Sequence, residues 1–92
     1  MTRYRVSADA AAASLEGGAV LLHMGTKRYY SLNETGAVVW QALEEGLEER
    51  ETATRLVAEY EVGDAAALAS VGALVSALVA EGLLEAVEAL AP

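Results

Sequence analysis

The sequence predicts an α+β fold, with strands in the first third of the chain and three helices after them. Apolar residues alternate between Arg3 and Leu32, apolar spacing turns helical after Leu32, and glycines at 17, 18, 25, 46, 63 and 82 punctuate the segments. Ninety-two residues make one domain, 1–92, with strands within 3–32 and helices at about 33–46, 49–61 and 64–82. A chain this short buries only about 60% of its unfolded surface, which leaves no room for a deep enzymatic cleft.

Arg3 to Ala8 places Tyr4, Val6 and Ala8 on one side and Arg3, Arg5 and Ser7 on the other, as a half-exposed strand does. Ala10 to Ala13 is a short alanine run without an element of its own. After Gly17-Gly18, Ala19 to Met24 is rich in strand formers, Gly25-Thr26 turns the chain, and Lys27 to Leu32 continues in the same style. The expectation is a hairpin preceded by a third strand.

Asn33 suits an N-cap and Glu34 the positive end of a helix dipole; Val39, Trp40 and Leu43 follow at helical spacing. The second helix starts near Glu49 and carries the stripe Ala53, Leu56, Val57, Tyr60. Asp64 is the expected cap of the third, which Gly82 stops. Leu83 to Val87 reads as a short strand or wing.

At about 100° per residue, Leu68, Val71, Leu74, Val75, Leu78 and Val79 fall within an arc of about 140°. The opposite face is alanine and serine, and no charge stands between Asp64 and Glu81. Alanine's helix propensity accounts for such a face; so does a surface that lets another backbone approach closely.

The composition excludes several functions. There is no cysteine, so no disulfide, thiolate nucleophile or cysteine metal site is available, and His23 is the only imidazole. Without an acid between Glu16 and Glu34 to orient it, His23 reads as an ordinary sheet residue. Glu44-Glu45 and Glu48-Glu49 read as solvated and capping charges rather than a general acid and base, and Gly17-Gly18 lacks the lysine of a phosphate loop. No enzyme activity, cofactor or metal is expected. The uncharged run Ala65 to Ala80 is shorter than a membrane span, and the N-terminal residues lack the apolar stretch of a signal peptide, so a cytoplasmic, membrane-free protein is expected.

The net charge of −8 is unevenly spread. Residues 1–32 hold four bases and two acids, a sum of +2; residues 33–92 hold two bases and twelve acids, a sum of −10. Three helices followed by a short apolar strand also resemble a winged helix-turn-helix, and a DNA-binding regulator is an alternative reading. Its recognition helix, however, would carry no Arg, Lys, Asn or Gln, so no nucleic-acid partner is expected.

YYSLN, then ETGAVVW, then LVAEYEV, then LVAEGLL stand in that order along the chain. From about Gly18 to Leu84 this set resembles the PqqD-like proteins, the RiPP recognition elements. Its most specific part is Tyr30-x-Leu32-Asn33-x-x-Gly36-x-x-x-Trp40. The resemblance implies a three-stranded antiparallel β-sheet packed on a three-helix winged helix-turn-helix bundle. It implies binding of the leader region of a ribosomally made precursor peptide, which adds as a strand beside the third strand and lies against the third helix. It also implies delivery of that precursor to modifying enzymes. The favoured pair is a leader peptidase and macrocyclase of lasso-peptide biosynthesis, and a carrier serving a radical SAM enzyme of pyrroloquinoline quinone biosynthesis is the alternative.

On this reading Lys27, Arg28, Tyr29, Tyr30, Ser31 and Leu32 form the edge that takes the peptide. Leu68, Val71, Val75 and Leu78 are the groove candidates on the third helix, each also suited to the core. Leu32 and Trp40 are expected in the core. Tyr30 is expected to lean inward and Tyr29 outward, since neighbours on a strand face opposite ways. Lys27 and Arg28 fit equally as guards against edge pairing or as partners for acidic peptide residues.

Overall fold

The computed structural model describes residues 2–88. In chain order the elements are β1 (Thr2–Val6), β2 (Ala10–Leu15), β3 (Gly18–His23), β4 (Arg28–Asn33), α1 (Glu34–Glu44), α2 (Glu49–Glu59), α3 (Asp64–Ala80) and β5 (Leu84–Glu88). Strands β2, β3 and β4 form one antiparallel sheet in that order, and β1 pairs antiparallel with β5 in a separate two-stranded ribbon.

The α+β class, the three helices and a three-stranded antiparallel sheet are as expected, but the identity of one strand is corrected. The Arg3–Ala8 segment is not the first strand of that sheet; the alanine-rich β2 takes its place. The turn decides this. Leu15 pairs with Gly18, so only Glu16 and Gly17 connect β2 to β3, and a two-residue loop joins only adjacent antiparallel strands. Gly17 adopts φ +80°, the left-handed geometry such turns require. The expected C-terminal strand exists and pairs with β1 through Thr2↔Glu88 to Val6↔Leu84, forming the second, two-stranded sheet.

The predicted hairpin is present with each strand shifted by one position. Lys27 does not belong to the ladder. It occupies the turn at φ +64°, with its N–H donating to the His23 carbonyl at 2.7 Å. His23 has a role that its strand-like surroundings concealed: Nδ1 accepts the N–H groups of Gly25 and Thr26, both at 3.1 Å, and so closes the β3–β4 turn.

Asn33 ends β4 and caps α1, its Oδ1 accepting from Gly36 N at 2.8 Å and Thr35 Oγ1 at 3.0 Å. Strand and helix therefore share a joint without an intervening loop. In front of α2, Glu48 N donates to Glu51 Oε1 at 3.0 Å, satisfying one of the donors exposed at a helix start. The cap of α3 is Gly63 rather than Asp64, which is the first helical residue. Tyr4 Oη donates to Glu49 Oε2 at 2.9 Å, tying β1 to the start of α2.

One hydrophobic cluster joins sheet and helices, with Leu21, Leu43, Val71, Leu78, Leu83 and Leu84 almost wholly removed from solvent. The buried stripe of α3 is Ala67, Val71, Val75 and Leu78, so the helix is turned slightly from the predicted arc and leaves Leu68 and Val79 exposed. Leu32 and Trp40 lie in the core as expected.

Candidate functional site

Strand order leaves the outer edge of β4 without a strand neighbour among the described residues. Its N–H and C=O groups on that side have no strand partner among the described residues, the condition for adding a further strand. The edge is backed by α1 and α3, because Asn33 turns directly into α1 and the α3 stripe packs into the shared core. Between them runs a groove of about 710 Å³, open along its length. Tyr30, Ser31, Leu32 and Asn33 line it from β4, Thr35, Gly36 and Val39 from α1, Leu56 from α2, and Ser70 and Leu74 from α3. The volume lies in the range of small-molecule and peptide-anchor pockets, and the walls are mainly apolar with hydroxyls at the rim.

The structure brings together part of the predicted site. Tyr30, Ser31 and Leu32 line the groove. Tyr29 faces the other side of the sheet opposite Leu22 and is 73% exposed, while Tyr30 is half-buried, as the alternation requires. Arg28 stands at the far end of β4, where its guanidinium lies 3.5 Å from Glu81 just after α3. Lys27, in the turn, lies off the edge.

The α3 candidates need correction. Val71, Val75 and Leu78 are completely or almost completely buried and offer no surface to a guest. Leu68 is exposed, but it faces α2 and lines a different recess with Arg50, Ala53, Thr54 and Val57. The α3 wall consists of Ser70 and Leu74, one helical turn apart. Each sits one position before a buried valine, at the junction of the apolar arc and the small-residue face. That junction was the available signal, since a groove wall is half-buried rather than central to a stripe. Gly36 belongs to the motif that carries the resemblance, and Val39 and Leu56 to the helical stripes, but only their placement in space shows that they line the groove with Thr35.

Past Asn33 the surroundings become acidic. Tyr60 Oη donates to Glu34 Oε1 at 3.2 Å. Its hydroxyl is held above the ordinary phenol range, first by partial burial, then by the charge and hydrogen bond of Glu34, and then by Glu59. Among the described residues no group of three or more His, Cys, Asp or Glu side chains can hold a metal ion, and no helix is long and apolar enough to cross a membrane.

Residues 18–84 match the family model described as coenzyme PQQ synthesis protein D (PqqD). The chain belongs to the PqqD family. The matched span covers β3, β4 and all three helices of this PqqD-family chain, and therefore every residue that lines the groove. Two solved structures share the fold. One, described as TbiB1 in complex with the TbiA(beta) leader peptide, is 31% identical with a TM-score of 0.83, covering 88% of this chain and 94% of that one. The other, described as lasso peptide synthetase B1 complexed with the leader peptide, is also 31% identical with a TM-score of 0.83, covering 90% of this chain and 98% of that one. Among curated proteins there is no match.

Proposed function

We propose that this PqqD-family protein is a RiPP recognition element that binds the leader region of a precursor peptide by strand addition to β4. The observation that carries this reading is the unpaired β4 edge running beside an apolar groove between α1 and α3. An added strand takes affinity from backbone hydrogen bonds that any sequence makes, while alternate side chains enter the groove and confer selectivity. Each leucine- or tyrosine-sized anchor that is fully buried contributes about 1.5–3 kcal/mol. Two or three suffice for micromolar binding once the cost of association is met.

The protein then acts as an adaptor in the cytoplasm, holding the leader while separate catalysts act on the remainder of the precursor. The lasso-peptide assignment, with a leader peptidase and a macrocyclase as partners, is favoured over service to a radical SAM enzyme because one of the two structural relatives is described as a lasso peptide synthetase B1 complexed with the leader peptide. A DNA-binding role is disfavoured by α3, whose residues Asp64 to Ala80 include no cationic side chain.

Titration of a fluorescently labelled leader into the protein tests the reading. Saturable binding is expected, weakened about tenfold or more for each apolar anchor replaced by alanine. N-methylation at alternate peptide positions separates the two backbone edges: the set facing β4 loses binding and the set facing away keeps it. Equal binding by both methylated sets means the peptide does not add as a strand.

A further inference from the structure

The β4 groove does not end at Asn33. A smaller recess lined by Thr35, Leu56, Tyr60, Val62 and Ser70 continues it, and Tyr60 in turn forms part of a second cleft of about 750 Å³ between β2 and the outer face of α1. Glu34, Glu44 and Glu59 line that cleft together with Gln41 and Trp40. None of the three carboxylates has a cation within 4 Å among the described residues. Arg55, one turn before Glu59, is engaged elsewhere, with both terminal nitrogens on Glu45 at 3.0 and 3.1 Å. The cleft wall also contains a buried donor without a partner, because Trp40 is 3% exposed and its Nε1–H finds no acceptor among the described residues.

At the opposite end of β4 the charge is reversed: Arg28 ends the strand and Lys27 follows in the turn, with Glu81 balancing only Arg28. Six residues of strand separate the two ends by roughly 17 Å. A peptide lying along β4 therefore spans a field that is negative past Asn33.

We infer that the cleft beyond Tyr60 is a second subsite, which holds a lysine- or arginine-bearing stretch of the same precursor whose neighbouring segment adds to β4. The inference rests on the strand-addition reading and deepens it. Carboxylates without an ion pair in a concave wall select a cationic guest, the recess that continues the groove meets the cleft at Tyr60, and Trp40, whose buried Nε1–H lacks an acceptor among the described residues, stands in the same wall. A flanking charge also fixes the direction in which the strand lies, which backbone pairing alone leaves open. Each exposed pair of unlike charges contributes about 1.5- to 5-fold in affinity, so two such pairs give roughly 2- to 25-fold at low salt.

The probe is the TbiA(beta) leader peptide extended at either terminus by three lysines, three serines or three glutamates, titrated into the full chain. Trp40 is the sole tryptophan, so its indole N–H gives one isolated signal in a proton–nitrogen spectrum. Lysine at one terminus, and not at the other, should tighten binding within that range over serine and shift the indole signal, whereas glutamate there weakens binding. The gain should disappear in about 0.5 M salt, where screening acts within a few ångströms. It should also disappear in the E34Q/E59Q double variant, in which glutamine keeps an acceptor for Tyr60. Equal affinities for all extensions at both termini overturn the second subsite and leave strand addition standing. Absence of binding by every peptide overturns strand addition, and the second subsite with it.

Discussion

Gly18 on β3 lies so close to Leu32 on β4 that a Cβ added to Gly18 would overlap the Leu32 carbonyl oxygen. The two strands are in contact at the point where Leu32 forms the floor of the groove. Any side chain at position 18 must push β4 away from the sheet, because the obstacle is backbone and cannot rotate aside.

Gly18→Ala is therefore expected to destabilise the protein by about 1–3 kcal/mol, as overpacking typically does, and to weaken leader binding at the same time. Denaturant unfolding with tryptophan fluorescence measures the first effect, and peptide titration well below the unfolding transition measures the second. Wild-type stability in Gly18→Ala would show that β4 has freedom to move outward.

The two faces of α3 separate stability from binding. Leu78 is fully buried, and Leu78→Ala is expected to cost about 2–5 kcal/mol. Leu74 lines the groove and is only partly buried. Leu74→Ala should cost under half as much stability yet reduce leader affinity about tenfold. A Leu74→Ala variant with full affinity would remove α3 from the binding surface.

Much of this arrangement was legible in the sequence, and the failures have physical causes. Asn33 followed by Glu34 announced the start of α1 because capping is local chemistry. Tyr29 and Tyr30 were sorted correctly because a strand's side-chain period is two. The β2 strand was missed because alanine is a poor strand former, and only the Glu16-Gly17 turn, a pairing constraint, places it beside β3. On α3, Val71 and Ser70 are neighbours in sequence with opposite fates, core and groove wall. Apolar periodicity locates the centre of a buried stripe, whereas its margin depends on what packs there, so the margin became visible only when β4 and α1 were in place.

Two tyrosines are expected to make stability fall in alkali. Tyr4 is held above its ordinary value of 10.0 by burial and then by its hydrogen bond to Glu49. Tyr60 is raised from the same value by burial and by Glu34 and Glu59. A pKa raised in the folded state means that the native protein keeps the proton more tightly than the unfolded chain. The resulting stability is fully present below about pH 10 and is lost as pH rises through the raised values. The denaturation midpoint should hold to about pH 9 and fall by pH 11, and the Y4F/Y60F double variant should flatten that fall. An unchanged slope in the double variant would assign the alkaline loss to other groups.

Asn33 serves two purposes at one joint, and its substitutions separate them. Its Oδ1 caps α1 through Gly36 N at 2.8 Å, and its side chain also lines the groove. Asn33→Ala removes the acceptor and should cost about 0.5–2 kcal/mol, visible as a lower denaturation midpoint. Asn33→Asp keeps an acceptor oxygen and adds a negative charge at the helix N-terminus, where the macrodipole favours it, so its midpoint should match or exceed wild type. If both variants lose stability equally, the amide nitrogen rather than the capping oxygen is the group that matters. If neither does, the joint between β4 and α1 is held by the packing of Leu32 against Val39 and Trp40 in the shared core. With the joint intact in Asn33→Asp, any change in leader affinity belongs to the groove itself. The added charge should improve binding of a leader with a basic residue beside Asn33 and weaken binding of one with an acidic residue there.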